Sequence, residues 1–140
     1  MTEFCFKALI FSVIISFSGT VIAEDSLSKS LAPSLSVTGD MTTDKFSKLM
    51  QQGFKSVIVN RPDQESGNKV SVNALREIAE ANQVGVIYQP VTSGKINQID
   101  INEFAEYYND LPKPILMVCK SGTRSASLYH QAKEQGLLDE

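Results

Sequence analysis

The sequence is poor in the residues that build metal centres and disulfide frameworks. Its 140 residues hold one histidine, His130, and two cysteines, Cys5 and Cys119. A structural or catalytic zinc site needs three or four nitrogen and sulfur ligands, and the scattered carboxylates lack a cation-loop spacing, so no metal site and no cofactor is expected. A basic excess is missing too. Lys and Arg number 13 against 16 Asp and Glu, a net charge of -3, with no basic stripe and no aromatic run on a positive face. Binding to a polyanion then has no source of counterion release, which argues against a nucleic-acid partner. Finally, the apolar stretch Ala8 to Phe17 falls short of the roughly 20 residues that span a bilayer.

What is present at the N-terminus is the pattern of a secretory signal peptide. Lys7 precedes that apolar stretch, and Val21-Ile22-Ala23 offers a small-residue cleavage site before Glu24-Asp25. Residues 1–23 are therefore expected to be removed, leaving a periplasmic or secreted protein with no stable membrane anchor. Cys5 lies ahead of the apolar stretch, unlike a lipoprotein cysteine, and leaves with the leader. Cleavage removes Lys7 and Glu3, so 12 basic residues face 15 acidic ones and the net charge stays at -3. Cys119 is then the single thiol, no disulfide can form within the chain, and the core must rest on packing. Such a thiol is either a buried, inert core residue or a nucleophile, and its position must decide.

The polar, serine-rich segment 24–34 reads as a flexible tether, and residues 35–140 as one domain with one core. Leu35 to Thr38 alternates like an edge strand. Thr42-Thr43 can cap a helix with Phe46, Leu49 and Met50 on one face, and Gly53 sits where a left-handed residue would end it. Ser56 to Asn60 is a β-branched run of the kind buried on both faces of a parallel sheet. Ser71 can cap a second helix carrying Leu75, Ile78 and Ala79, followed by a strand over Val84 to Tyr88. Asp100 with Glu103 resembles a capping box for a helix carrying Phe104 and Tyr107 or Tyr108. Ile115 to Val118 is the most apolar strand, and a final helix runs from Arg124 to about Gln135. Strand and helix alternate throughout, which predicts a three-layer α/β domain with a mainly parallel sheet and helices on both faces.

Ligands bind beyond the carboxyl ends of such strands, where Cys119 follows Val118. The stretch Cys119-Lys-Ser-Gly-Thr-Arg124 is a tight turn from buried strand to helix. Its backbone N–H groups and the positive pole of the following helix make an anion cradle. Gly122 permits close approach of a ligand, Arg124 adds a planar two-pronged donor, and the local field favours the Cys119 thiolate. The competing reading is a core cysteine before an ordinary basic turn. His130, nearly two turns into the last helix, reads as a surface or partly packed residue and not a catalytic one. Arg61 either anchors the loop after its strand or faces the same sheet end as Cys119.

Three segments together, "GFKSVIVNRPDQE", "VIYQPVTSGKI" and "CKSGTRSA", resemble the bacterial beta-lactamase-hydrolase-like phosphatase-like domain, DUF442, a relative of the dual-specificity phosphatases. The resemblance covers most of residues 35–135. It implies Cys119 as nucleophile, Lys120, Ser121, Gly122 and Thr123 as substrate-binding loop, Arg124 as anion clamp, and Ser125 as a hydroxyl that assists a leaving thiolate. The spacing departs from that of protein phosphatases, which use Cys-x5-Arg. Here it is Cys-x4-Arg, closer to the loop of rhodanese-type sulfurtransferases.

Phosphoester hydrolysis also calls for a general acid, and Pro90 to Gly94 supplies none. Asp63 and Asp100 are the candidates, each with a simpler role as turn residue or helix cap. Sulfur transfer needs no such acid, because the anionic remainder of the donor leaves unprotonated. The sequence thus leads to a thiolate enzyme acting on a small anionic substrate, a sulfur donor or a phosphoester, with sulfur transfer through a Cys119 persulfide slightly favoured. Phosphoester hydrolysis and a non-catalytic anion-binding module are the alternatives.

Overall fold

A computed structural model describes residues 26–140; the expected leader 1–23 lies outside the described residues. Nine elements follow one another: β1 (Lys29–Ala32), β2 (Leu35–Thr38), α1 (Thr43–Met50), β3 (Ser56–Val59), α2 (Val72–Ala81), β4 (Gly85–Tyr88), α3 (Gln98–Asp110), β5 (Ile115–Val118) and α4 (Thr123–Glu134). The sheet order is β1-β2-β5-β3-β4. Every pair is parallel except β1 with β2. Val57 stands opposite Val86 on one side and Leu116 on the other, so the β-branched run of β3 has a parallel neighbour on each side.

Alternate residues of the central strands serve two cores. Ile58, Ile115 and Met117 pack with Ile101, Phe104, Tyr108, Leu128 and Tyr129 of α3 and α4. Val57, Val59, Leu116 and Val118 pack with Phe46, Leu49, Leu75 and Ala79 of α1 and α2. Each buried aliphatic side chain contributes about 1.5–3 kcal/mol relative to exposure, and the period of two in a strand divides that gain between the faces. The result is the expected three-layer α/β fold. Thr42 and Ser71 cap α1 and α2 through their hydroxyls, at 3.1 and 3.2 Å from the Lys45 and Ala74 amides. Gly53 has φ +92° beyond α1.

Three expectations are corrected. Part of the supposed tether over 24–34 is β1, which pairs antiparallel with β2, so order begins before Leu35 and β2 is not the edge. A four-residue strand reading Lys-Ser-Leu-Ala, exposed at its start, carries too little periodicity to be seen in sequence. The capping box of α3 starts on Asn97, with Asp100 as its third helical residue, so Asp100 is not the N-cap. Strand β4 begins at Gly85, one residue later than expected.

Candidate active site

Strand β5 delivers Cys119 to the carboxyl edge of the sheet, where its N–H donates to Thr38 O of the neighbouring strand at 3.1 Å. The thiol is 1% exposed. The chain then turns through Lys120 and Ser121 to Gly122, whose φ of +84° closes the loop and lets α4 begin without a side-chain cap. In that conformation the Gly122 N–H donates to Cys119 Sγ at 3.0 Å. The sulfur thus receives a backbone hydrogen bond at the N-terminal end of a twelve-residue helix.

The loop is held from behind by a residue that sequence reasoning passed over. Gly39, just after β2, bridges to Ser121. A Cβ there would stand 2.9 Å from Lys120 O, so only glycine fits. Its signal in the sequence, a glycine directly after a strand, is too common to single it out.

Arg124 is 7% exposed and its guanidinium is fixed on two sides. Nη1 donates to Val91 O at 2.9 Å and Nη2 to Glu65 Oε1 at 2.7 Å. Its Nε, also buried, has no hydrogen-bond partner among the described residues. Buried donors are rarely left so, and Arg124 lines the cavity over the thiol. Glu65 in turn receives Arg61 Nε on its other oxygen at 2.7 Å, and Arg61 Nη1 reaches Asp40 at 2.8 Å. Burial pushes the Glu65 carboxyl up, but the hydrogen bonds and charges of Arg124 and Arg61 outweigh it and hold it below its ordinary value of 4.5. Arg61 thus does both things the sequence left open, anchoring its own loop through Glu65 and Ser66 O and sitting one residue removed from the clamp. Glu65 was hidden in the sequence because its partner Arg124 lies 59 positions away.

A cavity of about 270 Å³ lies over the thiol, walled by Ser93, Gly94 and Ile96 on one side and by Cys119 to Ser121, Thr123, Arg124 and Ser127 on the other. It brings together Cys119, Lys120, Ser121, Thr123 and Arg124 of the expected site. Two other expectations meet a different geometry. Ser125 is fully buried and gives its proton to Asn60 Oδ1 at 2.8 Å, not to the sulfur. Asp63 and Asp100 do not line the cavity. Asp63 Oδ1 accepts from the Val72 amide at the start of α2, and Asp100 Oδ2 from the Asn97 amide at the start of α3. Carboxylates are held at helix N-termini by free N–H groups and the helix dipole, and here that local attraction outcompetes the distant thiol. No carboxylate among the described residues lines the cavity. Among the described residues no cluster of three or more His, Cys, Asp or Glu could hold a metal ion.

Comparison with known proteins gives the family and the fold. Two curated relatives, each called Beta-lactamase hydrolase-like protein, come from Xylella fastidiosa and Agrobacterium fabrum. They are 35% and 32% identical over 97 and 95 residues, in each case 68% of this chain and 22% of the relative. The chain therefore spans about a fifth of the length of the curated relatives it matches. Among solved structures, a candidate phosphatase from Neisseria meningitidis superposes with a TM-score of 0.69 at 28% identity, covering 76% of this chain and 77% of that one. The core catalytic domain of the PP-IP phosphatase SIW14 from S. cerevisiae, solved with citrate, shares the fold at a TM-score of 0.55 and 14% identity, covering 76% and 74%. Residues 28–135 match the model of the family described as Beta-lactamase hydrolase-like protein, phosphatase-like domain, and the chain belongs to that family.

Proposed function

We propose that this chain is an exported cysteine-thiolate enzyme that takes a small anionic group onto Cys119, and that the group is a phosphoryl group. The observation that carries thiolate chemistry is the pairing of the Gly122 N–H on Cys119 Sγ with the unpartnered, buried Nε of Arg124 at the same cavity. Together they supply a stabilised nucleophile and a vacant donor for the anion it attacks. The family description and the structural neighbours carry phosphatase names, which favours phosphoryl transfer over the sulfur transfer read from the Cys-x4-Arg spacing.

In the first step a bond forms between Sγ and phosphorus as the P–O bond to the leaving group breaks. Water then cleaves the S–P bond, releasing inorganic phosphate and restoring the thiolate. With no carboxylate among the described residues that line the cavity, the leaving oxygen departs without a proton from any of them. Weakly basic leaving groups, aryl oxides and phosphate itself, suit such a site, and alkyl oxides do not.

The same missing carboxylate, with the shorter loop, favours a second reading. In sulfur transfer Cys119 attacks the outer sulfur of thiosulfate, sulfite leaves with the bonding electrons, and the persulfide passes its sulfur to an acceptor thiol. One experiment separates the readings: intact mass and phosphate release, measured in parallel with thiosulfate and with an aryl phosphate, with Cys119→Ser as control. Phosphate release that requires Cys119, with no mass change from thiosulfate, supports phosphoryl transfer. A stable gain of about 32 Da from thiosulfate without phosphate release replaces it by sulfur transfer. Neither signal, with anion binding intact, leaves an anion-binding module.

Export is proposed from the sequence pattern of residues 1–23. N-terminal sequencing of protein recovered from the periplasm or medium should begin at Glu24; an uncleaved, cell-associated chain would overturn it.

A further inference from the structure

A second cavity adjoins the first across the active loop. It has a volume of about 420 Å³, against about 270 Å³ over Cys119, and Ser121 and Thr123 line both. Three of its lining side chains, Lys29 from β1, Lys45 from α1 and His130 from α4, are basic, and no Asp or Glu is among the described residues that line it. In a chain of net charge -3 this is a local reversal of sign. None of the three forms an ion pair among the described residues. Lys45 Nζ spends one hydrogen bond on the Asp40 carbonyl at 2.9 Å and keeps two N–H groups. Burial lowers the pKa of this half-buried ammonium from its ordinary 10.5, with the Asp40 charge opposing, so a bound anion would restore solvation it has lost.

The three groups come from three elements far apart in sequence, joined only by the fold. Adjacent cavities with a shared rim, one carrying the nucleophile and the other two ammonium groups and an imidazole, match a substrate with charge at two places. We infer that the groove of Lys29, Lys45 and His130 binds a second anionic group of the substrate, which is therefore a small molecule bearing two separated phosphates or a phosphate and a carboxylate. The inference rests on the reading of Cys119 as an anion-transfer site and names the class of molecule it serves.

His130 is the chain's single histidine, so its imidazole NMR signals report occupancy of the groove without overlap. The purified, untagged Cys119→Ser protein, which cannot turn over, is titrated with fructose 1,6-bisphosphate and with fructose 6-phosphate. The bisphosphate should bind on the order of tenfold more tightly or better and shift the His130 signals. A Lys29→Ser/Lys45→Ser double variant should bring the affinity ratio to about one. Equal affinities in the parent protein, unmoved His130 signals, or a ratio that survives the double variant would each overturn the inference. The catalytic reading fails separately: a monophosphate that does not protect the parent Cys119 from iodoacetamide removes the anion-transfer site, while the His130 titration still reports on the groove.

Discussion

The Glu65 carboxylate holds Arg124 at 2.7 Å on one oxygen and Arg61 at 2.7 Å on the other, so one acidic side chain orients the clamp of a loop 59 positions further along the chain. The Val91 carbonyl fixes the other side of the same guanidinium, and Nε has no partner among the described residues. This makes Glu65 a positioning residue whose effects should be visible in both stability and activity.

Replacing Glu65 by Gln should cost about 1–3 kcal/mol in chemical denaturation, less than a fully buried pair because the Glu65 side chain is 21% exposed. The substitution should also change the acid side of the stability profile. A carboxyl held below 4.5 in the fold stabilises it above that pH, and the contribution is lost as pH falls through the lower native value. The Gln variant should show a flatter decline over that window, and parallel curves for the two proteins would contradict the role.

Arg124→Lys should lower kcat/KM by about 10²–10³ on whichever substrate is turned over, since an ammonium cannot bond Val91, Glu65 and an anion in one plane. Circular dichroism should stay native. Wild-type kinetics would mean that the unpartnered Nε is not the anion contact.

The loop glycines make a paired test. In Gly122→Ala the new side chain must accept φ +84° and meets Val37 Cγ2 at 3.3 Å, costing about 1–2 kcal/mol. In Gly39→Ala the backbone is ordinary but Cβ stands 2.9 Å from Lys120 O, so the loop must move. Both should slow alkylation of Cys119 at neutral pH and weaken phosphate protection against it. Unaltered alkylation in both variants would separate loop shape from thiol reactivity.

Much of the scaffold was legible because its causes are local. The β-branched run of Ser56 to Val59 and the apolar run of Ile115 to Val118 read as central strands, and they are neighbours in register. Thr42 and Ser71 act as caps for reasons contained within three residues. The loop from Cys119 to Arg124 was legible for the same reason, since a strand, a turn and a helix start are contiguous. What was hidden depends on distance. Glu65 drew no reading of its own, Gly39 looked like any glycine after a strand, and β1 like a tether until β2 paired with it. Asp63 and Asp100 show the converse: chemistry made them acid candidates, whereas the nearest helix N-termini decide where their carboxylates go.

Strand β1 also sets where the two ends of the described chain emerge. Because it runs antiparallel to β2, its beginning returns to the active edge of the sheet, with Leu27 O accepting from Thr38 Oγ1 at 2.7 Å. Glu140 instead meets Tyr108 and Tyr129 near Ser34, at the far end of β2. The described chain therefore begins beside the loop of Cys119 and ends away from it. An affinity tag or a surface tether for activity work belongs at the C-terminal end, clear of the groove that Ser26 and Leu27 line.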